Sequence, residues 1–173
     1  MLLLKNFVSK EFVEQALAVS SKSPDWKLSS EMPNSAIQNM LYDAVEHVPC
    51  RLTANVKDYP IVKEFFYEKF DRKNFFAEDI VYFSKYVTGT DCKKHYDPSV
   101  YTVIVLLQKA DIGGNLMVEE EKIKNIPLNI GDAVIFKGSS HHFITEVLKG
   151  TRIALTLWLN DIPDKYKFKL SGP

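Results

Sequence analysis

The chain has 173 residues, enough to bury the core of one domain and short for two. With 46% hydrophobic and 25% charged residues it is excluded from the disordered and low-complexity classes. Lys+Arg and Asp+Glu balance at 22 each, so no overall field draws the protein to nucleic acid or to an anionic membrane surface.

Met1 to Leu4 is apolar but gives way to Lys5 and Asn6 before reaching the length of a signal-peptide core, and no later run could span a bilayer. A cytoplasmic location without a membrane partner is therefore expected. Cys50 and Cys92 are too few for a disulfide framework, which fits a reducing compartment. Ser9 is a suitable N-cap for a helix through about Val19, with Phe12, Val13, Ala16 and Leu17 at helical spacing. Residues 20–33 contain Pro24 and Pro33 and read as loop, with Trp26 and Leu28 docked on the core. A second helix, capped by Asn34 or Ser35, carries Ile37, Met40, Leu41, Ala44 and Val45 and stops at Pro49. A third, about 60–70, places Val62, Phe65, Phe66 and Phe70 on one side.

From Asp79 the composition shifts to β-branched and aromatic residues in short runs, predicting strands at 80–87, 101–107, 115–118, 133–136, 142–147 and 152–159. Glycines at 89, 113, 114, 131, 138 and 150 punctuate them closely, which favours antiparallel connections over βαβ crossovers. The expected fold is α+β and mainly β: a double-sheet jelly roll with the N-terminal helices packed on one sheet. One domain is expected, with residues 1–78 as helical support, 79–160 as β core, and 161–173 as a tail strapped to the surface with a loose end.

Side chains two apart on a strand share a face, so His95 and Asp97 can present an imidazole and a carboxylate together. His-x-Asp alone is a weak signal, and a surface His beside a turn Asp before Pro98 has the same pattern. A third ligand is offered by His141 or His142, of which only one can point inward. Two neutral imidazoles and one ionised carboxylate leave cis positions open, the arrangement of non-haem Fe(II) oxygenases. A structural zinc site would want four closed ligands, and Cys92-x-x-His95 lacks a second pair to complete one. Arg152, in an apolar strand, needs an anion: an acidic residue of the chain, or a dicarboxylate cosubstrate that its planar fork and Thr156 on the same face could hold.

Tyr86-x-x-Gly89, His95-x-Asp97, Gly113-Gly114, the run Gly131 to Phe136, and His142-x-Ile144-x-x-Val147-x-x-Gly150-x-Arg152 together resemble the 2-oxoglutarate- and Fe(II)-dependent dioxygenases of the prolyl 4-hydroxylase type. The resemblance spans about residues 80–159, with several motifs in family order. It implies a double-stranded β-helix, Fe(II) on His95, Asp97 and His142, and 2-oxoglutarate anchored by Arg152, with Tyr86, Thr156 and Trp158 lining the cosubstrate pocket. The family's spacing to Val147, Gly150 and Arg152 selects His142 over His141. The implied reaction is C–H hydroxylation coupled to conversion of 2-oxoglutarate to succinate and carbon dioxide, with ascorbate as an accessory reductant. The implied partner is a peptide or protein, most naturally at a prolyl side chain, with a free amino acid or other small molecule as the rival.

The chain departs from the family at Asn115, where Glu often follows the Gly pair, and at Leu106-Leu107, where Tyr-Leu is common. A nucleic-acid demethylase of the superfamily would carry a second Arg six positions after Arg152, where Trp158 stands, and a halogenase would lack Asp97. Outside this class stand a catalytically silent cupin-like binding module and a His-Asp-His zinc hydrolase. Tyr96 and Tyr101 suit the wall of a site mouth or plain packing, and Lys93-Lys94 a solvated turn.

Overall fold

The computed structural model describes residues 1–28, 50–52 and 56–171. Its strands in chain order are β1 Leu2–Leu4, β2 Lys27–Leu28, β3 Cys50–Leu52, β4 Ile80–Val87, β5 Cys92–His95, β6 Tyr101–Gln108, β7 Ile112–Gly113, β8 Leu116–Glu119, β9 Ile123–Ile126, β10 Ala133–Lys137, β11 His142–Ile144, β12 Val147–Lys149 and β13 Thr151–Leu159. The helices are α1 Lys10–Lys22, α2 Pro60–Phe70 and α3 Asp164–Ser171. One sheet runs β1-β10-β6-β13-β4-β3-β2 and faces a second, β5-β11-β8-β9, while β12 and β7 form a separate pair. Each of these ladders is antiparallel, which gives the expected jelly roll.

The long strands of the main sheet are buried on both faces, so their sequences read as continuous apolar runs. In β13 the period of two sends Leu155, Leu157 and Leu159 to the helix side and Ala154 and Trp158, with Arg152 and Thr156, to the barrel interior. Strand β4 divides the same way, Val81 and Phe83 outward, Tyr82 and Tyr86 inward. Val13 and Ala16 of α1 and Val62, Phe65, Phe66 and Phe70 of α2 cover the helix side. Burying each large aromatic there contributes about 1.5–3 kcal/mol.

Helix α1 starts where predicted, the Ser9 hydroxyl accepting from the Phe12 N–H at 3.1 Å. It runs to Lys22, past the predicted end, and Trp26 Nε1 donates to the Ser20 carbonyl at 2.8 Å to dock the following loop. Helix α2 has Pro60 in its first turn and ends at Asp71, whose φ of 55° is the left-handed C-cap conformation. The expected second helix, over residues 34–48, lies outside the described residues.

Three expectations are corrected. The single strand at 142–147 is two, β11 and β12, because the chain leaves one ladder at Thr145 to join another: Thr145 N–H donates to the Asn115 carbonyl and Gly114 N–H to the Glu146 carbonyl. Gly113 makes this crossing possible, since a Cβ there would lie 2.1 Å from the Glu146 oxygen. Residues 164–171, expected as part of a surface strap, form α3. Its Lys-rich face conceals Tyr166, which packs against Phe7 and Phe70 and donates its hydroxyl to the Lys69 carbonyl at 3.0 Å. The opening Leu2–Leu4, Cys92–His95 and Ile123–Ile126 were not among the predicted runs, yet each is a strand. Among the described residues no helix is long and apolar enough to cross a membrane.

Candidate metal centre

His95 closes β5, and its register partner across the ladder is His142, which opens β11. Asp97 follows two residues after His95, with the exposed Tyr96 between them, and the two side chains meet on the interior side. Asp97 Oδ1 lies 3.6 Å from His95 Nε2, and Oδ2 lies 3.4 Å from His142 Nε2. One ligand atom from each of the three lies within 4.8 Å of the others, a spacing suited to a single ion.

The backbone orients both rings. His95 Nδ1 is 2.7 Å from the Lys93 carbonyl, and His142 Nδ1 is 3.0 Å from that of Ser140. A carbonyl only accepts, so Nδ1 is assigned the proton in each ring and the bare Nε2 faces the carboxylate. Asp97 is held from two sides: the Thr102 hydroxyl donates to Oδ2 at 2.5 Å, and the Asp97 N–H donates to the Gly138 carbonyl at 2.9 Å. Sequence reading did not pick out Thr102, and it marked Gly138 only as a break between strands. The signal for Thr102 was available, since it shares the interior face of β6 with Ile104 and Leu106.

His141, the other imidazole considered, is exposed on the opposite face. Its Nδ1 is 3.8 Å from Glu119 Oε2, and its ring meets Tyr96 edge-on at 5.8 Å. Phe136 packs edge-on against His142 instead, with ring centroids 4.9 Å apart.

From this triad a narrow cleft runs past Ser84 and Thr156 to Tyr86 and Arg152. Arg152 is 3% exposed, and its Cζ lies 5.6 Å from the centre of the Tyr86 ring, the residue opposite it in the β13–β4 ladder. Among the described residues no acid lies within ion-pair distance of Arg152, and its Nη2 is buried with no hydrogen-bond partner. Burial pulls the guanidinium pKa down from its ordinary value, against the opposing pull of Tyr86, Cys92 and Tyr82. A buried guanidinium left so incompletely paired fits a site made for an anion. Trp158 shares the strand face of Arg152 and Thr156 but does not line the cleft. It sits beside Thr102 in the β13–β6 ladder and packs edge-on against Tyr82 at 5.5 Å.

A jelly roll that brings two imidazoles and a carboxylate together in its interior, with a buried arginine along the same cleft, has a donor set that could hold a single metal ion. Residues 81–160 match the family model described as the 2OG-Fe(II) oxygenase superfamily. Over these residues the chain is similar to that superfamily, and the match supports a dioxygenase for which Fe(II) and 2-oxoglutarate are the groups the family implies. No curated protein matches it.

Solved structures of similar fold include a Pseudomonas putida prolyl-4-hydroxylase, 15% identical over 91% of this chain and 90% of that one, with a TM-score of 0.59. A Trichoplax adhaerens prolyl hydroxylase in complex with a hypoxia inducible factor oxygen degradation domain peptide fragment is 14% identical, with a TM-score of 0.66, over 97% of this chain and 86% of that one. A viral collagen prolyl hydroxylase from Paramecium Bursaria Chlorella virus-1, in its 2OG complex, is 13% identical over 94% of this chain and 96% of that one, with a TM-score of 0.59.

Proposed function

We propose that His95, Asp97 and His142 hold Fe(II), that Arg152 with Thr156 and Tyr86 receives 2-oxoglutarate, and that the enzyme hydroxylates a prolyl side chain of a peptide or protein. The chain acts as one domain, the residues before 79 supporting the β core. The observation that carries the metal assignment is the pair of Nε2 atoms turned onto one carboxylate by backbone carbonyls. A packing or surface role for these residues gives no reason for such convergence in a buried setting.

Dioxygen is the oxidant: with iron and 2-oxoglutarate bound, one of its atoms would enter the substrate C–H bond and the other the succinate that forms as the cosubstrate loses carbon dioxide. The chain's own residues do the rest. Asp97 is held in a fixed orientation because the Thr102 hydroxyl donates to it. Arg152 offers its fork to the distal carboxylate of the cosubstrate, and Thr156, on the same strand face, adds a hydroxyl donor. The apolar walls from Ile104 and Ile144 limit water in the cleft. Trp158 supports Tyr82 from the side.

The prolyl substrate is supported by the likeness of the whole fold to prolyl hydroxylases, one of them carrying a peptide. Anaerobic addition of Fe(II) and 2-oxoglutarate tests the centre through a visible metal-to-ligand charge-transfer band. A protein that binds zinc and never gives the band would be a hydrolase or a silent module. Succinate release with proline-rich peptides, free amino acids and methylated oligonucleotides tests the substrate. Turnover with peptides is expected, and turnover restricted to either of the other panels overturns the prolyl reading.

A further inference from the structure

Cys92 is a buried thiol to which the mechanism gives no part. Across the β5–β11 ladder His142 is opposite His95 and Ile144 is opposite Cys92, so two steps along β11 are matched by three along β5. Strand β5 therefore carries one extra residue, a bulge, between Cys92 and His95. In a regular strand residues three apart face opposite sides; here the extra residue brings both side chains to the interior and leaves Lys93 and Lys94 exposed. The consequence is a contact. Cys92 Sγ lies 3.6 Å from His95 Nδ1, the nitrogen that also meets the Lys93 carbonyl at 2.7 Å.

We propose that Cys92 is a positioning residue for His95, its sulfur and the Lys93 carbonyl together holding the imidazole so that Nε2 faces the ion; this rests on the reading of His95 as a metal ligand. Nδ1 carries the proton, so the sulfur accepts a share of that hydrogen bond. The carbonyl fixes the direction of the N–H, and a bulky, polarisable sulfur beside the same atom limits the tilt of the ring. Cys92 supports a ligand and is not one itself: it meets the ring at Nδ1, and among the described residues the donor atoms close enough to share an ion are those of His95, Asp97 and His142. Phe136 takes the corresponding place at the other imidazole, edge-on against His142 with centroids 4.9 Å apart. Each ring is thus braced by a backbone carbonyl and flanked by a buried side chain of the interior cluster. Outer partners of this kind set the geometry of a ligand and, through it, metal affinity.

The test titrates Fe(II) alone, anaerobically, into the full chain and its variants, and follows the imidazole nitrogens of the metal-free protein by long-range proton–nitrogen correlation spectra. Cys92→Ala should lower Fe(II) affinity about threefold to tenfold, the low end for loss of an outer partner of a ligand, because the Lys93 carbonyl remains. The His95 Nδ1 resonance should move in that variant while that of His142 stays. Cys92→Ser, which keeps a group able to accept from Nδ1–H, should recover most of both changes. Unchanged affinity in Cys92→Ala with an unmoved His95 resonance would overturn the proposal. So would equal movement of both imidazoles with no recovery in Cys92→Ser, which is general repacking of the interior. A loss confined to 2-oxoglutarate affinity, read from the charge-transfer band, would overturn it too and assign the thiol to Arg152, whose charge it also feels. These three results leave the metal reading standing. Fe(II) binding to His95→Ala as tight as to the parent would instead remove that reading and this proposal with it.

Discussion

His95 and His142 stand opposite each other across the β5–β11 ladder with ring centroids 4.3 Å apart, and each ring is braced by the carbonyl two residues before it. The strand phase that turns His142 inward turns His141 out. His142→Ala should therefore reduce Fe(II) affinity by at least about a hundredfold, since a ligand is lost outright, while His141→Ala should leave it within about twofold. Anaerobic titration calorimetry of the two variants checks this, and equal losses would show the opposite phase for β11.

Thr102→Val keeps the shape of the side chain and removes the donor to Asp97 Oδ2. The carboxylate then loses its fixed orientation, and metal affinity should fall about tenfold or more, the usual effect of removing an outer partner of a metal ligand. The companion Thr102→Ser, which restores the hydroxyl, should recover most of that loss in the same titration.

Arg152→Lys keeps the charge and discards the planar fork. Binding of 2-oxoglutarate should weaken about tenfold to a hundredfold, consistent with losing one charge-assisted hydrogen bond, while metal affinity changes little. Following the charge-transfer band against cosubstrate concentration at fixed Fe(II) measures the first, and metal titration without cosubstrate measures the second.

Asp132 anchors the segment after β1 to the start of β10. Burial pushes its carboxyl pKa up, but Lys5 and the N–H groups of Asn129 and Asn6 outweigh it and hold the group below its usual range. A depressed folded-state pKa gives stability that is complete above the unfolded value, near pH 4, and is lost as the pH falls through the folded value. Asp132→Asn should cost about 1–3 kcal/mol at pH 7 and flatten the acid limb of a stability profile. Urea unfolding from pH 7 down to the acid limit reads both effects.

Tyr166→Ala should destabilise the fold by about 3 kcal/mol, as for a buried aromatic, because the ring closes a cluster with Phe7 and Phe70. Tyr166→Phe should cost about 1 kcal/mol for the bond to the Lys69 carbonyl. Chemical denaturation of the pair separates packing from hydrogen bonding.

The long elements were legible because one signal dominated each. Ser9 and Pro60 announced their helices, and β4, β6 and β13 were long enough for their apolar runs to stand out. Short strands were hidden because two to four residues carry no period of their own: β1 looked like a bare apolar start, and Ile123 and Lys124 of β9 are exposed. Helix α3 was missed because its apolar residues Tyr166, Phe168 and Leu170 alternate with lysines at every second position, which is not a helical period. At the site, the three side chains that converge, His95, Asp97 and His142, could be read from spacing and resemblance. The partners that brace them could not: the Lys93 and Ser140 carbonyls are backbone atoms that any residue would supply, and Gly138 matters through a close approach to Ser99 that only the folded chain reveals.

Strand β13 lies at the middle of the main sheet, between β6 and β4, although it is the last strand among the described residues. The nascent protein therefore cannot complete that sheet as it leaves the ribosome. Strands β4 and β6 must wait, unpaired on the edges they will share with β13, until residue 159 has emerged, a vectorial delay that leaves long apolar edges exposed. The N-terminal strand waits nearly as long, since Leu2–Leu4 finds its partner only when residues 133–135 have been made. Closure of the sheet is thereby a late event governed by contacts far apart in the sequence, and His95, Asp97 and His142 come together within it.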